Sequence, residues 1–452
     1  MELFRALVNE LQKEAPPQQR PRIRYLTFWK ETEQRLRQVV NRDDEVVFLP
    51  ERMRCVSLDR AKIIALEQKE RKLIDQGMTP LKTMMECERF APTNGQAAED
   101  FMWRSFAAHD ELIPENTILL SNEVDHVCYW IACDLCNVRN GRFFGFGVSG
   151  RPSDYTQVVR NTTNMWTLNK PTEEHYHVVD RQIQEIESGV LPSYMYKTNP
   201  YPKLRNKAEI IFSRMKEAHA GNYFMKWPTI LAPGLQKAKE LKWNLFGSGV
   251  KHWNLDEIVR PFVYFPLHLE PEATTSVYAP YFKYQDIVID WLAKSLPAGV
   301  DLVLKENPKM WGNRSRRFYQ NAARIPGVRW IDPRTSSRDL TLKSSAVVTI
   351  TGTVAIEALA LNKPVAIMGN PPYGDALKCI PRMKNPEELV AGLVSLLESK
   401  IDREVFRREY ATYIANLINK PFNNIRRESN TPYPVYVFHK EHAKYVRGIL
   451  NW

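Results

Sequence analysis

AVVTITGTVAIEALALNKPVAIMG, residues 346–369, decides the fold. AVVTI is a short run of β-branched and apolar residues, the length and texture of a buried strand. Thr351, Gly352 and Thr353 interrupt it, and VAIEALAL then places apolar residues at helical spacing. Pro364 and a second apolar run, VAIM, follow at once. Strand, helix and strand in so short a span make a βαβ unit, whose strands must run parallel.

The same alternation extends outward in both directions. Upstream lie VRPFVYFPL (259–267) with a strand, YQDIVIDWLAKSL (284–296) with a helix, and VDLVLKENP (300–308) with a strand and loop. RRFYQNAARI (316–325) reads as helix, VRWI (328–331) as strand and SSRDLTLKS (336–344) as a short helix. NPEELVAGLVSLLES (385–399) closes the series with a helix. Strands and helices alternating through short loops predict a doubly wound α/β lobe. The first half carries a second βαβ unit: TILLS (117–121), the helix VDHVCYWIACDLC (124–136) and RFFGFGV (142–148). Residues 173–245 are polar and read mainly as helix. The expected fold class is therefore α/β, with two Rossmann-like lobes facing a cleft. The expected division is 1–172 for the first lobe, 173–250 for a helical insertion or bridge, 251–400 for the second lobe and 401–452 for a helical tail.

Composition narrows the function classes. The chain has 452 residues, and 63 Lys and Arg against 52 Asp and Glu give a formal net charge of +11. That excess favours an anionic partner: nucleic acid, a phosphorylated metabolite or a phospholipid surface. No RRM, helix-turn-helix or zinc-finger pattern is present, so no specific nucleic-acid partner is expected. The opening MELFRALVNELQKEAPP has charges throughout and no apolar leader core. The longest apolar stretch is broken by Thr351, Gly352, Thr353 and Glu357, which argues against a membrane span. A cytoplasmic protein, peripheral to the inner face of the plasma membrane, is the expectation. Cys55, Cys87, Cys128, Cys133, Cys136 and Cys379 are too scattered for a disulfide framework. Cys133 and Cys136 form a single CxxC inside a helix, and no metal site is expected.

Four motifs end on strands and carry candidate chemistry. At Thr351, Gly352 and Thr353 a helix start offers backbone N–H groups, a dipole and two hydroxyls to a phosphate, and Glu357 is placed to accept from ribose hydroxyls. The bland alternative is a capped structural helix with a solvated glutamate. In VDLVLKENPKMWGNRSRRFY (300–319), Lys305 and Asn307 follow a strand, Pro308 stiffens the turn, and Arg314, Arg316 and Arg317 add positive charge. Lys305 suits a phosphate; the arginines read equally as a solvated helix start. In YFPLHLEPEATTSVYAPYFKYQ (264–285) a strand opens into a long loop with His268, Glu270, Glu272, Thr274, Thr275 and Gln285. His268 alone is as readily a satisfied, half-buried histidine. In SNEVDHVCYWIA (121–132), Glu123, Asp125 and His126 form the densest acid–base cluster of the first half, fit to deprotonate a hydroxyl; Asp125 is equally an N-cap. GFGVSG (145–150) matches GxGxxG but lacks the following helix and acid-tipped strand, so it reads as a Gly-rich loop.

Together YFPLHLEPEATTSVYAPYFKYQ, LPAGVDLVLKENP, IPGVRWIDP and VVTITGTVAIEALALNKPVAIMG resemble the capsular polysaccharide biosynthesis family, which includes the Kdo transferases of capsule assembly. The resemblance covers roughly residues 258–375, with SNEVDHVCYWIACDLC similar to a first-lobe segment of that family. It implies a GT-B glycosyltransferase that works without metal, with the donor nucleotide in the second lobe and the acceptor across the cleft. It implies that Lys305 and Pro308 stand in a Lys-x-His-Pro turn, that Thr351, Gly352, Thr353 and Glu357 stand on the donor helix, and that Glu272 and Gln285 follow the first strand of the lobe. The chain departs from the family at Asn307, where a histidine is usual. Asparagine donates a hydrogen bond but carries no charge, which weighs against a CMP-linked donor.

The functional expectation is a sugar transfer from a nucleotide-activated donor, CMP- or UDP-linked, to a lipid-linked or polysaccharide acceptor at the cell surface. No cofactor is expected; the donor enters as substrate. Glu123, Asp125 and His126 are the catalytic candidates. His268, Glu272, Gln285, Lys305, Asn307, Pro308, Thr351, Gly352, Thr353 and Glu357 are the donor-binding ones. The alternatives are a polyol-phosphate transferase or nucleotide-sugar epimerase on the same fold, or a catalytically degenerate glycan-assembly or glycan-binding protein.

Overall fold

The computed structural model describes residues 2–12, 22–86, 95–190, 204–219, 239, 243, 247–270, 272–310, 312–420, 425–426, 435–436 and 440–450. Cys87, most of the TPYPVY break and parts of the polar 173–245 stretch lie outside them.

The first lobe holds two sheets. β1 (Arg24–Thr27) and β2 (Glu45–Phe48) form a parallel pair. β3 (Ile118–Asn122) runs parallel to β4 (Arg142–Val148), and β5 (Thr156–Val159) returns antiparallel to β4. The helix Val127–Val138 joins β3 to β4 and buries Ile131, Leu135 and three cysteines, Cys128, Cys133 and Cys136. Those thiols are free, and burial pushes Cys136 up to about 12. The antiparallel β5 and the separate β1–β2 pair depart from an undivided Rossmann sheet. β5 is only four residues long, too short for its periodicity to mark it in the sequence.

The second lobe is a five-stranded parallel sheet in the order β10-β9-β6-β7-β8. Its strands are β6 (Phe262–Pro266), β7 (Asp301–Lys305), β8 (Val328–Trp330), β9 (Ala346–Thr349) and β10 (Val365–Ile367). All are nearly continuous apolar runs, because helices cover both faces. The connecting helices start where capping residues dictate. Ser315 accepts from Phe318 N–H, Ser336 from Asp339 N–H, and Asn385, before Pro386, from Glu388 N–H. Strand order reverses between β6 and β9, and the crevice beyond the carboxyl ends of those strands is where open α/β sheets take ligands.

The chain then returns to the first lobe. Helix Arg403–Ala415 packs along helix Glu173–Glu187. Ile418 bridges to Thr156 beside β5. Helix Lys440–Leu450 joins Leu7 and Leu11 over Phe144, Phe146 and Val158 of the sheet. No helix among the described residues is long and apolar enough to cross a membrane.

Candidate functional site

The loop after β6 is held by a buried charged network. Arg314, whose side chain is 4% exposed, pairs with Glu270 at 2.6 Å and Glu306 at 2.9 Å. It also donates to the carbonyl of His268 at 2.7 Å. Tyr319 adds a hydroxyl donor to Glu306 at 2.8 Å. Burial pushes the Glu306 carboxyl up, and the guanidinium of Arg314 opposes that. Gln285 closes the network by accepting from His268 N–H at 2.7 Å and donating to Glu270. Arg314 is thus a structural cation, because two carboxylates already neutralise it. Arg316 and Arg317 are exposed at the start of their helix.

His268 links this loop to the Thr351 turn. Its Nε2 lies 3.1 Å from Thr349 Oγ1 and 3.5 Å from Thr351 N. Thr349 Oγ1 accepts from Gly352 N–H at 3.1 Å, so its own proton goes to His268 Nε2. Burial pulls the imidazole down to about 4, with Arg314 adding to the effect, so the ring is neutral.

The hydroxyl of Thr351 does not face a ligand. It donates to the carbonyl of Thr274 at 2.6 Å, because Thr351 is buried under that loop. Gly352 and Thr353 are half-buried, and Tyr373 donates to Gly352 O at 2.8 Å. Thr353 meets the first lobe: a Cβ added to Gly150 would lie 2.0 Å from its Cγ2. Glu357 is half-buried and paired: it accepts from Arg151 of the first lobe at 3.2 Å. Burial raises its carboxyl, and Arg151 lowers it.

At the end of β7, Lys305 reaches Ser337 Oγ at 2.8 Å, and burial lowers its ammonium pKa. Among the described residues no carboxylate pairs with it. Asn307 turns its Oδ1 back to accept from Lys309 N–H at 3.0 Å, and Pro308 opens the short turn Pro308–Met310.

Across the junction, Glu123 follows β3. Its Oε2 accepts from Gln157 Nε2 at 2.8 Å and from the Tyr278 hydroxyl of the second lobe at 3.3 Å. Burial pushes the carboxyl up to about 7 against the Gln157 bond, with like charge from Asp125 and Glu272 adding to the rise. Gly147 makes room, since a Cβ there would lie 2.0 Å from Glu123 Oε2. Glu272 precedes the short helix Ala273–Ser276 and accepts from Thr274 Oγ1 at 2.7 Å. Asp125 is exposed. His126, not Asp125, is the N-cap: its Nδ1 accepts from Cys128 N–H at 3.2 Å, and its ring lies against Phe28 and Tyr129.

The structure therefore gathers Glu123 and Glu272 from opposite lobes, and His268, Lys305, Asn307 and Gly352 along the carboxyl edge of one sheet. Gln157, Tyr278, Arg151 and Gly147 escaped the sequence reading. For Gly147 the signal is the GxGxxG spacing: residues 145–148 belong to β4 and not to a loop, and the missing side chain at 147 leaves room for Glu123.

Residues 250–376 match the family described as capsule polysaccharide biosynthesis protein, which is less than a third of the 452-residue chain. No curated protein sequence matches the chain. Among solved structures, the Thermosulfurimonas dismutans KpsC β-Kdo 2,7 transferase is 12% identical, covering 69% of this chain and 78% of its own, at a TM-score of 0.30. The β-Kdo 2,4 transferase of the same protein is 13% identical over 72% and 85%, also at 0.30. The N-terminal domain of Candida albicans trehalose-6-phosphate phosphatase is 9% identical over 99% and 92%, at 0.32. Over residues 250–376 the second lobe is similar in sequence to the capsule polysaccharide biosynthesis family.

Proposed function

We propose that the protein is a glycosyltransferase that moves a sugar from a nucleotide-activated donor to a hydroxyl of a growing capsular polysaccharide or glycolipid. The observation that carries this reading is Glu123. It is a half-buried carboxyl raised to about 7, set where the lobes meet and faced by Tyr278 and Glu272 of the second lobe. A carboxylate with a pKa near the working pH is suited to general-base catalysis.

In this mechanism the donor lies along the carboxyl ends of β6, β7 and β9. Glu123 takes the proton of the acceptor hydroxyl as the oxygen attacks the anomeric carbon. The bond between sugar and phosphate breaks, and the nucleotide leaves with its electron pair. Lys305 supplies positive charge to the leaving phosphate, and electrostatic stabilisation of this kind is commonly the largest catalytic term. Asn307 offers its amide hydrogens on the same edge, and because it stands where the family usually has a histidine, a CMP-linked donor is disfavoured. A nonspecific attraction to an anionic membrane follows from the net charge of +11.

The test is a panel of CMP-, UDP- and GDP-sugars with capsular oligosaccharide and glycolipid acceptors, scored by mass of the product. A product one sugar longer is the expected result. Epimerised or merely hydrolysed donor would reject transfer. The rate should rise with pH through about 7, because Glu123 must lose its proton to act as base. The stability contribution has the opposite sign. The folded carboxyl holds its proton above the ordinary carboxylate range, so that contribution is full at acid pH and lost as pH rises through about 7.

The non-catalytic alternative has its own observations. The Thr351 hydroxyl and the Asn307 carbonyl oxygen are both spent inside the fold, which thins the set of donor ligands. Calorimetry with CMP, UDP and GDP separates the two readings, since a degenerate scaffold binds none of them.

A further inference from the structure

The loop that brings Tyr278 to Glu123 carries two more tyrosines, and both face out. Tyr281 is 82% exposed and Tyr284 58%, while every other tyrosine among the described residues is buried or half-buried. Large side chains left open in this way are the informative exception on a folded chain.

The local structure turns both rings to solvent. Pro280 opens the turn Pro280–Phe282. Ala279 and Phe282 enter the second-lobe core, and Phe282 meets Trp291 edge-on at 6.3 Å between ring centroids. Tyr281, between them in the chain, is left outside. Tyr284 precedes the helix Gln285–Ser295, and the next residue, Gln285, is buried and bonded to His268 and Glu270. The ammonium of Lys283 lies 5.2 Å from the centroid of the Tyr284 ring and pairs with Glu86 of the first lobe. A cation anchored on the opposite lobe thus orients that ring.

Position and charge together identify what the pair would hold. Tyr278 donates to Glu123 at 3.3 Å. Three residues span at most about 10 Å and six at most about 20 Å, so Tyr281 and Tyr284 branch from the chain close to that carboxyl. The Lys283–Glu86 pair joins the lobes beside them, so the two rings mark a way out of the junction. In the two segments joined by that pair, 81–86 and 280–287, Lys82 and Lys283 stand against Glu86 and Asp286. A polyanion or an anionic lipid surface meets no net charge there. Each tyrosine offers a flat apolar face with a hydroxyl at its edge, at small cost in side-chain entropy. A pyranose ring is the complement of that surface, with C–H groups on its faces and hydroxyls around its rim.

We propose that Tyr281 and Tyr284 form a stacking platform for the sugars of the acceptor chain that lie behind the one being extended. The proposal rests on the glycosyltransferase reading. It makes the second lobe, otherwise the donor side, a determinant of acceptor length. The rings take no part in bond making; they hold the chain so that its end returns to Glu123.

Oligosaccharides cut by mild acid from the surface polysaccharide of the cells that make the protein, sorted by length, are the probe. Calorimetry without donor reads binding, and initial rates with donor read KM and kcat. Affinity should rise from monosaccharide to hexasaccharide. Tyr281→Ala and Tyr284→Ala should each raise the hexasaccharide Kd and KM about five- to tenfold, a factor ordinary for one aromatic contact. The monosaccharide KM, kcat, UDP affinity and circular dichroism should stay as in the wild type. Tyr281→Phe, which keeps the ring, should bind the hexasaccharide nearly as the wild type does, and Tyr281→Ser should not. Unchanged hexasaccharide binding in both alanine variants would overturn the proposal. So would an equal loss for the monosaccharide, which would mean only a displaced loop. A wild-type dimer in sedimentation velocity that Tyr281→Ala dissolves would overturn it in favour of self-association. Tyrosine-dependent hexasaccharide binding with no nucleotide binding would sink the transferase reading and leave the platform standing.

Discussion

The two lobes solve the problem of placing charged groups in opposite ways. The second lobe buries a guanidinium between two carboxylates: Arg314 faces Glu270 and Glu306, and the imidazole of His268 is neutral, with Lys305 left, among the described residues, on a hydroxyl alone. In the first lobe no cation among the described residues pairs with Glu123, which is held by two neutral donors, Gln157 and Tyr278. Burial raises the carboxyl in both lobes, but at Glu306 the guanidinium of Arg314 opposes the rise, whereas Glu123 has only neutral donors against it and is raised to about 7. The contrast suits a division of labour in which one lobe binds and the other exchanges a proton.

The largest effect should come from separating those two tasks. Glu123→Gln keeps the size of the side chain and its bonds to Gln157 and Tyr278 but removes the base. Transfer should fall by about 10²–10⁴-fold, with nucleotide affinity unchanged. Lys305→Met should cut transfer by about 10²-fold and weaken nucleotide binding as well. Steady-state kinetics beside calorimetry reads both, and the division of labour is wrong if Glu123→Gln loses the nucleotide.

Stability gives the next contrast. Arg314→Ala strands Glu306, whose side chain is fully buried, beside a half-buried Glu270. The loss should be roughly 3–5 kcal/mol, read from urea unfolding. The first-lobe counterpart is Arg139, which pairs with Asp110 and donates to backbone carbonyls. Asp110 retains Lys69 at 2.6 Å, so Arg139→Ala should cost about 2 kcal/mol. Equal losses would mean that the second lobe does not depend on its buried network.

Two glycines sharpen the comparison on a smaller scale. Gly147→Ala drives a methyl into the Glu123 carboxylate, and Gly352→Ala puts one 2.8 Å from Thr349 Oγ1. The first should lower kcat about tenfold by displacing the base. The second should raise the donor KM by a similar factor by loosening the His268–Thr349 link.

Much of this architecture was readable in advance, and the exceptions have a common cause. The strands of the second lobe and the β3–helix–β4 unit come from local periodicity, so their sequence runs name them. What could not be read is whatever depends on partners far along the chain. Tyr278 lies 155 residues from Glu123, and Arg151 lies 206 from Glu357. No spacing rule links such positions. The separation of β1–β2 from β3 is a matter of strand pairing, which alternation alone does not fix. His126 misled for a different reason, since its ring takes the capping role that an aspartate usually fills.

The smallest effect concerns the seam where the chain returns to the first lobe. Arg407 holds Asp180 through two bonds, 2.7 and 2.8 Å, and lowers its carboxyl below the usual range. Both side chains are well exposed, at 33% and 49%, and solvent screens the pair. Beneath it Val179, Ile186, Phe406 and Tyr410 are buried, with the two rings stacked. Apolar burial and not the ion pair should therefore hold helix 403–415 to helix 173–187. Arg407→Ala should cost less than about 1 kcal/mol, and less still in high salt, by urea unfolding. Phe406→Ala should cost about 3–5 kcal/mol in the same assay. If the arginine matters as much as the phenylalanine, the seam is electrostatic, and the two lobes are joined by the kind of interaction that the second lobe otherwise keeps inside.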